Sequence, residues 1–426
     1  MYCSNNKYFS EIRQYLDNIP VIETHEHYTQ YHGADDALDF VINNYYWSDY
    51  MSAGGDGLSK EMPPKERYER FLTIYNKSKH TAYAQGMIEG LRICWGIDNI
   101  DSYENFLILE EKLKSREASV YENTMEKLNI KAKVVDSWDF MDFVDGNKTD
   151  YSKYCRFAFQ LPEFHNNHSK QDLLKYQKYL GRAITCLDDY LESFDKYLQK
   201  CVDFGVVCFK DQTAYRRSIA YGNPTRDEAE KVFNAMMINP RETVGDDRAV
   251  YLDDWLFQYA MRKAAQYNLP VQIHTGHMAG IRNDIVKTNA AHLIPAIEMH
   301  ENVKFDLFHG NWPYMDEYIY IGKNYPNVYL NLCWVQSIDP VYCVEFMKRA
   351  VMTVPHSKIM AFGGDTSMIE WVAGYLSLAK DNVSCALSEL TDSGWLNIHK
   401  AKQIAADWFF NNPNDLFKLG FEPFNA

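Results

Sequence analysis

The chain has 426 residues, 46% hydrophobic and 24% charged, which are ordinary globular proportions and exclude a disordered or fibrous protein. Lys+Arg 44 against Asp+Glu 58 leave a formal net charge of −14, so neither nucleic acid nor an anionic membrane is an expected partner. No apolar run approaches the roughly 20 residues of a membrane span, and the N-terminal stretch MYCSNNKYFSEIRQYLDNIP lacks the apolar stretch and cleavage site of a leader.

Nine cysteines, scattered and without a CxxC pair, offer neither a zinc ribbon nor a thioredoxin-type site. Several sit in apolar runs such as GVVCF and LNLCW, where a free thiol acts as a small hydrophobe. The expected compartment is reducing and cytoplasmic. Amphipathic helical stretches and 15% aromatic residues permit a homo-oligomer, and the expected partner is a small-molecule substrate.

In chain order, short apolar runs read as strands at Val21–Thr24, Ala132–Asp136, Cys155–Phe159, Val206–Lys210, Val271–His274, Lys304–Phe308, Val328–Leu332 and Ile359–Gly363. Most lack polar alternation, as strands of a parallel sheet buried on both faces do. Amphipathic spacing between them predicts helices at Asp253–Tyr267, Asn289–His300 and His399–Phe410. Strands alternating with helices predict an α/β fold, a (β/α)8 TIM barrel formed by one domain over residues 1–426.

One interval breaks the rhythm. Residues 32–131 separate the first two strands and carry helical patterns at Lys65–Lys77, Thr81–Gly96 and Ser102–Lys127, with a Gly-rich turn, SAGGDG, at 52–57. An insertion after a barrel strand lies at the catalytic face, so this one is expected to be a cap or lid. A second insertion, roughly Phe164–Asp203, follows the third strand.

The chemistry concentrates at strand ends. The first strand runs into Glu23-Thr24-His25-Glu26-His27, and residues two apart on a strand share a face, so His25 and His27 can hold one divalent metal at the barrel mouth. The fifth strand ends in QIHTGH with His274, the sixth in DLFHGN with His309, and the eighth in FGGDT with Asp365. Each alone reads as an ordinary loop residue, whereas together they read as a metal site. Lys210 ends the fourth strand in GVVCFK; it can pair with a carboxylate such as Asp365, bind substrate, or be N-carboxylated and bridge two metals.

This ordered set, from Pro20 to Thr366, resembles the amidohydrolase superfamily. The segments FKDQTAYRR (209–217), LPVQIHTG (269–276), DLFHGNWPY (306–314), NVYLNL (327–332) and AFGGDT (361–366) are most similar to the amidohydrolase-related branch. That branch includes the domain found fused to glutamine synthetase-like modules. The region from Tyr83 to Asp136, with GLRICWGID, also resembles the distant uronate isomerases.

The resemblance implies that His25, His27 and Asp365 bind a first metal. It implies that His274 is a ligand of the first or a second metal, that His309 binds a second metal or polarises the substrate, and that Lys210 occupies the bridging position. Ligands of nitrogen and oxygen suit zinc first, with Mn, Fe or Co as alternatives, one or two per chain. The implied activity is that of a metal-dependent hydrolase. It uses a metal-activated water on an amide, ester or lactone bond of a small polar, carboxylate-bearing substrate, with Asp365 as general base and the metal or His309 stabilising the oxyanion.

The alternative is a metal-dependent lyase or isomerase, a decarboxylase or sugar-acid isomerase, on the same scaffold. Arg216 and Arg282 read either as carboxylate clamps or as surface ion pairs. Tyr215, Trp312 and Trp334 either wall the pocket or pack beneath it. The polar run around His165 and His168 reads as a solvated loop, and His277 reads as a neighbour of the ligands rather than a ligand.

Overall fold

The computed structural model describes residues 6–27, 36–238 and 244–425. Cys3 and the first residues of the expected insertion, 32–35, lie outside the described residues. Eight parallel strands form one sheet in sequential order: β1 (Val21–Glu26), β2 (Ile130–Val135), β3 (Cys155–Gln160), β4 (Cys208–Asp211), β5 (Val271–Ile273), β6 (Phe305–Leu307), β7 (Val328–Asn331) and β8 (Ile359–Met360). Register runs from Val21↔Ile130 through Gln160↔Lys210 and Asp211↔Ile273 to Asn331↔Met360. The ring closes through backbone hydrogen bonds between β1 and the segment after β8. Thr24 N donates to Phe362 O and Asp365 N to His25 O, both at 3.1 Å. The fold is therefore a (β/α)8 barrel, and each expected strand lies on an observed one.

The helices bear out the amphipathic readings with adjusted bounds. Asp246–Tyr267 extends the expected helix by two turns toward its N-terminus. The expected 289–300 helix divides into a 3-10 turn, Ala290–Leu293, and the helix Ile294–Met299. The long pattern from Ser102 to Lys127 is two helices, Tyr103–Lys114 and Ser119–Lys127, because Arg116 turns inward between them. Its guanidinium pairs with Glu370 at 2.7 Å, both side chains almost wholly buried. Among the described residues no helix is long and apolar enough to cross a membrane.

The barrel interior is layered. Inside the barrel Ile22, Ala132, Val134, Ala158, Cys208 and Met360 meet Phe410, Leu416 and Phe417 of the C-terminal segment, which plugs one end. Above this apolar plug lies a polar layer. Gln272 Nε2 donates to Thr24 O at 2.9 Å, Asn331 Nδ2 to Asp306 Oδ2 at 3.1 Å, and Thr24 Oγ1 to Asn331 Oδ1 at 3.0 Å. Burial pushes the Asp306 carboxyl up to about 7. Such a layer ties four strands together with directional bonds and supports the polar mouth above it.

Between β1 and β2 the described residues form six helices, from Ala37–Ile42 to Ser119–Lys127. The helix Ala82–Trp95 lies against Ile369–Asp392, the helix that follows β8. Three glycines set that approach. A Cβ on Gly374 would overlap the Gly86 carbonyl oxygen and stand 2.7 Å from Gly90 N, and one on Gly90 would overlap the Glu370 carbonyl oxygen. The insertion thus touches the barrel backbone to backbone, and the Arg116–Glu370 pair fastens it a turn away.

A mid-helix Gly→Ala exchange ordinarily stabilises by about 1 kcal/mol. Here overlap reverses the sign: Gly374→Ala is expected to cost roughly 1–3 kcal/mol. Thermal unfolding of the variant should show a lower midpoint, and a raised midpoint would show that the two helices are not held this closely.

Candidate metal and substrate site

The polar residues at the strand ends converge at the mouth of the barrel. His25 and His27 lie on and just past β1, His274 one residue past β5, His309 two past β6, and Asp365 in the turn after β8. Asp365 Oδ1 stands 3.2 Å from His25 Nε2 and 3.1 Å from His27 Nε2, and Oδ2 stands 3.7 Å from His309 Nε2. His309 Nε2 is 3.1 Å from His274 Nδ1. His309, Trp334 and Asp365 all have positive φ, of 66°, 64° and 53°. Non-glycine residues in that region are characteristic of sites where the surrounding structure over-determines the backbone.

The outer hydrogen bonds assign the tautomers. His274 Nε2 faces His277 O at 2.7 Å, His309 Nδ1 faces Cys333 O at 3.0 Å, and His27 Nδ1 faces Asp136 O at 3.3 Å. A carbonyl only accepts, so those nitrogens carry protons, and in a neutral ring the opposite nitrogen carries the lone pair. Neither ring nitrogen of buried His25 has a hydrogen-bond partner. The lone pairs of His274 Nδ1 and His309 Nε2 therefore point at one another with nothing between them to donate, and His27 Nε2 faces the Asp365 carboxylate.

The electrostatics favour neutral rings at His25, His274 and His309; at His27 burial acts the same way, but the Asp365 carboxylate outweighs it and holds the ring above the usual imidazole value. Burial, with the Lys210 charge next, pushes His25 down to about 4 and His274 to about 3. Burial foremost, with the His274 ring beside it, holds His309 well below the usual imidazole range. For Asp365 burial opposes ionisation, but the adjacent His25 and His27 rings outweigh it and hold the carboxyl well below the usual range. Facing acceptors at hydrogen-bond distance repel unless a cation lies among them. This nitrogen and oxygen donor set, with its outer nitrogens already oriented, fits a divalent metal. His309, Cys333 and Asp365 form one group whose donor atoms lie within 4.8 Å of one another, and His25, His27 and Asp136 form another. Burial pushes the Cys333 thiol well up.

Lys210 is 1% exposed, and its Nζ has no hydrogen-bond partner. It lies 4.0 Å from the Phe308 ring centroid, and among the described residues it forms no ion pair with Asp365.

Two cavities open beside the cluster. One of about 370 Å³ is lined by His27, Tyr45, Trp138, Gln160, Tyr215 and Arg216, among others. The other, of about 500 Å³, reaches Asp365 and also borders Tyr45 and Trp138. Tyr215 packs its ring 4.8 Å from His274, and its hydroxyl accepts from Ala279 N at 3.1 Å. Arg216 lines the smaller cavity, held by the Asn166 carbonyl at 3.4 Å.

Trp334 is buried, 4.2 Å from the Tyr45 ring and 5.1 Å from His309. Trp312 donates Nε1 to Asp339 at 3.2 Å and packs on His277, away from both cavities. Arg282 lies exposed on the loop after β5 and lines neither cavity.

The reading of His165 as a solvated loop residue is corrected: it is fully buried, 3.5 Å from Asp211 and between the Tyr221 and Phe257 rings. The polar run PEFHNNHS conceals this because its partners come from β4 and a distant helix. Half-buried His168 bonds Val244 O at 3.2 Å. His277, as expected, stands beside the cluster and offers it a backbone carbonyl.

Among the cavity residues that escaped the sequence reading are Tyr45, Trp138, Gln160 and Gln212. Tyr45 comes from the insertion and donates its hydroxyl to the Asp365 carbonyl oxygen. Trp138, three residues past β2, stacks on His27 with its ring 6.3 Å away and 9° from parallel. The strand-end rule applied to DSW would have found Trp138; nothing local marks Tyr45.

A parallel barrel whose strand ends gather imidazoles and a carboxylate beside open cavities is the frame of a metal-dependent enzyme. The chain belongs to the amidohydrolase family: the family model described as Amidohydrolase matches residues 160–417. Protein fluG of Emericella nidulans is 28% identical over 260 residues, which are 57% of this chain and 29% of that relative. The match thus spans under a third of the relative's length. Among solved structures, the uronate isomerase of Thermotoga maritima superposes with TM-score 0.80 at 13% identity, covering 98% of each chain. The glucuronate isomerase of Caulobacter crescentus gives 0.76 at 15% identity, covering 98% of this chain and 95% of that one. At such identities the likeness is one of fold.

A prediction follows from the loop that holds Arg216. Its neighbour Arg217 is committed elsewhere, 2.6 Å from Asp254 and 4.0 Å from Asp253. Burial pushes the Asp253 carboxyl up to about 8. An acid held above its unfolded value costs stability as pH rises, between the ordinary value of about 4 and the folded value. Asp253→Asn keeps an acceptor for Asn167 N and cannot ionise. Its unfolding midpoint is expected to gain on the parent's as pH goes from 5 to 8; a constant difference would show that Asp253 is already ionised throughout.

Proposed function

We propose that this protein is a metal-dependent hydrolase acting on an amide, ester or lactone bond of a small, carboxylate-bearing substrate. The gathering of four buried or half-buried imidazoles around the Asp365 carboxylate carries the reading. His25, His27 and Asp365 would hold the metal, with His274 and His309 as further ligands and Lys210 placed to bridge to a second ion. A divalent ion bound there supplies Lewis acidity that makes a water nucleophilic near neutral pH.

The chain's own residues do the rest. Asp365 Oδ2, the oxygen not shared by His25 and His27, takes the proton from the attacking water and returns it to the leaving group. Arg216 holds the substrate carboxylate as a forked donor, and Tyr215 and Trp138 wall the bound molecule. The helices between β1 and β2 act as a fixed cap, bringing Tyr45 onto the Asp365 backbone and narrowing access for water.

A second reading, isomerisation of a sugar acid, is favoured by superposition on uronate isomerases over nearly the whole chain. Lys210 separates the two. A second metal bridged through its carboxylated amine supports hydrolysis, and one metal with Lys210 free supports isomerisation.

Elemental mass spectrometry on protein purified without chelator is expected to find one or two divalent ions per chain, with zinc foremost. His25→Ala should lose metal and turnover together. Asp365→Asn should lower turnover by about 10²–10⁴-fold with the fold retained. Turnover would be sought on amides, esters and lactones of small carboxylic acids, and on glucuronate for the second reading. A chain that takes up no metal on titration would overturn both.

A further inference from the structure

Beside the imidazoles, the ends of β2, β3 and β4 carry a second polar cluster. Asp136 follows β2 and is 1% exposed. Gln160, the last residue of β3, donates Nε2 to Asp136 Oδ1 at 2.6 Å. Gln212, the residue after β4, donates Nε2 to Asp136 Oδ2 at 2.7 Å. An ionised carboxylate only accepts, so both glutamines must turn their NH2 groups toward Asp136.

Each Oε1 is thereby turned away from Asp136, and among the described residues nothing donates to either oxygen. Both glutamines line the 370 Å³ cavity together with Arg216. The Asp136 backbone carbonyl also takes His27 Nδ1, which links this cluster to the imidazoles.

We propose that Asp136 is a positioning residue that fixes Gln160 and Gln212 as a pair of acceptors, and that this pair recognises hydroxyl or ammonium groups of a small carboxylate-bearing ligand. The inference rests on reading the cavity as the substrate site. It adds that the ligand bears hydrogen-bond donors as well as the carboxylate that meets Arg216. The Asp136 charge behind the two amides polarises them and strengthens both acceptors. A plain alkyl chain would desolvate two carbonyl oxygens without replacing their bonds to water.

Three six-carbon acids test this by calorimetry on the metal-loaded full chain: gluconate with hydroxyl donors, norleucine with an α-ammonium, and hexanoate with neither. Gluconate or norleucine is expected to bind at least about tenfold more tightly than hexanoate. Whichever does so identifies the donor. In the Gln160→Leu/Gln212→Leu double variant that preference should fall to near one, through loss of the donor-bearing ligand rather than of hexanoate.

Asp136→Asn can satisfy only one glutamine as acceptor, so it should lose several-fold of the preference while keeping its metal and unfolding midpoint. Hexanoate binding as well as both others, no binding of any acid at millimolar concentration, or preference surviving in the double variant would overturn the proposal. Loss of metal from Asp136→Asn would overturn the positioning role and make Asp136 a ligand. Calorimetry needs no turnover. A chain that holds no metal yet still prefers donor-bearing acids would refute the catalytic reading and leave this one standing.

Discussion

Lone pairs that face one another at hydrogen-bond distance are repulsive, and a fold keeps them so only if the surrounding bonds over-determine them. Around Asp365 they do. His274, His309 and His27 each give an outer ring nitrogen to a backbone carbonyl, so the inner nitrogens of neutral His274 and His309 are left as acceptors and that of His27 is aimed at Asp365. The carbonyls belong to segments following β2, β5 and β7, hence the arrangement depends on the strand register of the whole ring. Asp365 itself sits at positive φ, with its amide bonded to His25 O and its carbonyl to the Tyr45 hydroxyl. The site is a property of the closed barrel and not of any one loop.

The insertion after β1 shares in that closure. Its helix Ala82–Trp95 meets the helix after β8 at glycines on both sides, and Arg116 and Glu370 exchange charges in an almost wholly buried pair. A buried pair contributes more to register than to net stability, because desolvation offsets much of its attraction. The helix it grips starts four residues after Asp365. Packing in the insertion is thereby coupled through one rigid element to the carboxylate at the centre of the site.

Within the mouth the strands divide their work. The ends of β1, β5, β6 and β8 carry the imidazoles and the carboxylate, while those of β2, β3 and β4 carry Asp136, Gln160, Gln212 and Lys210. Strands β2, β3 and β4 are consecutive, as are β5 and β6, while β8 adjoins β1 at the closure and β7 stands between β6 and β8. His27 joins the two groups, with one nitrogen toward Asp365 and the other toward Asp136. On the proposed reading, ligation and recognition fall largely on different strands of one frame, with Lys210 on β4 as the exception.

Much was legible in the sequence because barrel strands are local, buried apolar runs, and the rule that function sits at their C-terminal ends needs no tertiary knowledge. The eight strands, the residues His25, His27, His274, His309 and Asp365, and Lys210 at the end of β4 all follow from it. Tertiary structure alone decided the tautomers, since a ring nitrogen's proton depends on a carbonyl far away in sequence. It also decided that Arg216 faces the cavity while Arg282 does not, and that His165 is buried although its neighbours are polar. Tyr45 reaches Asp365 from a helical insertion whose docking is set by glycines nearly three hundred residues apart. Local patterning records which residues stand at the mouth of the barrel; which atoms they turn toward one another is settled only when the ring closes.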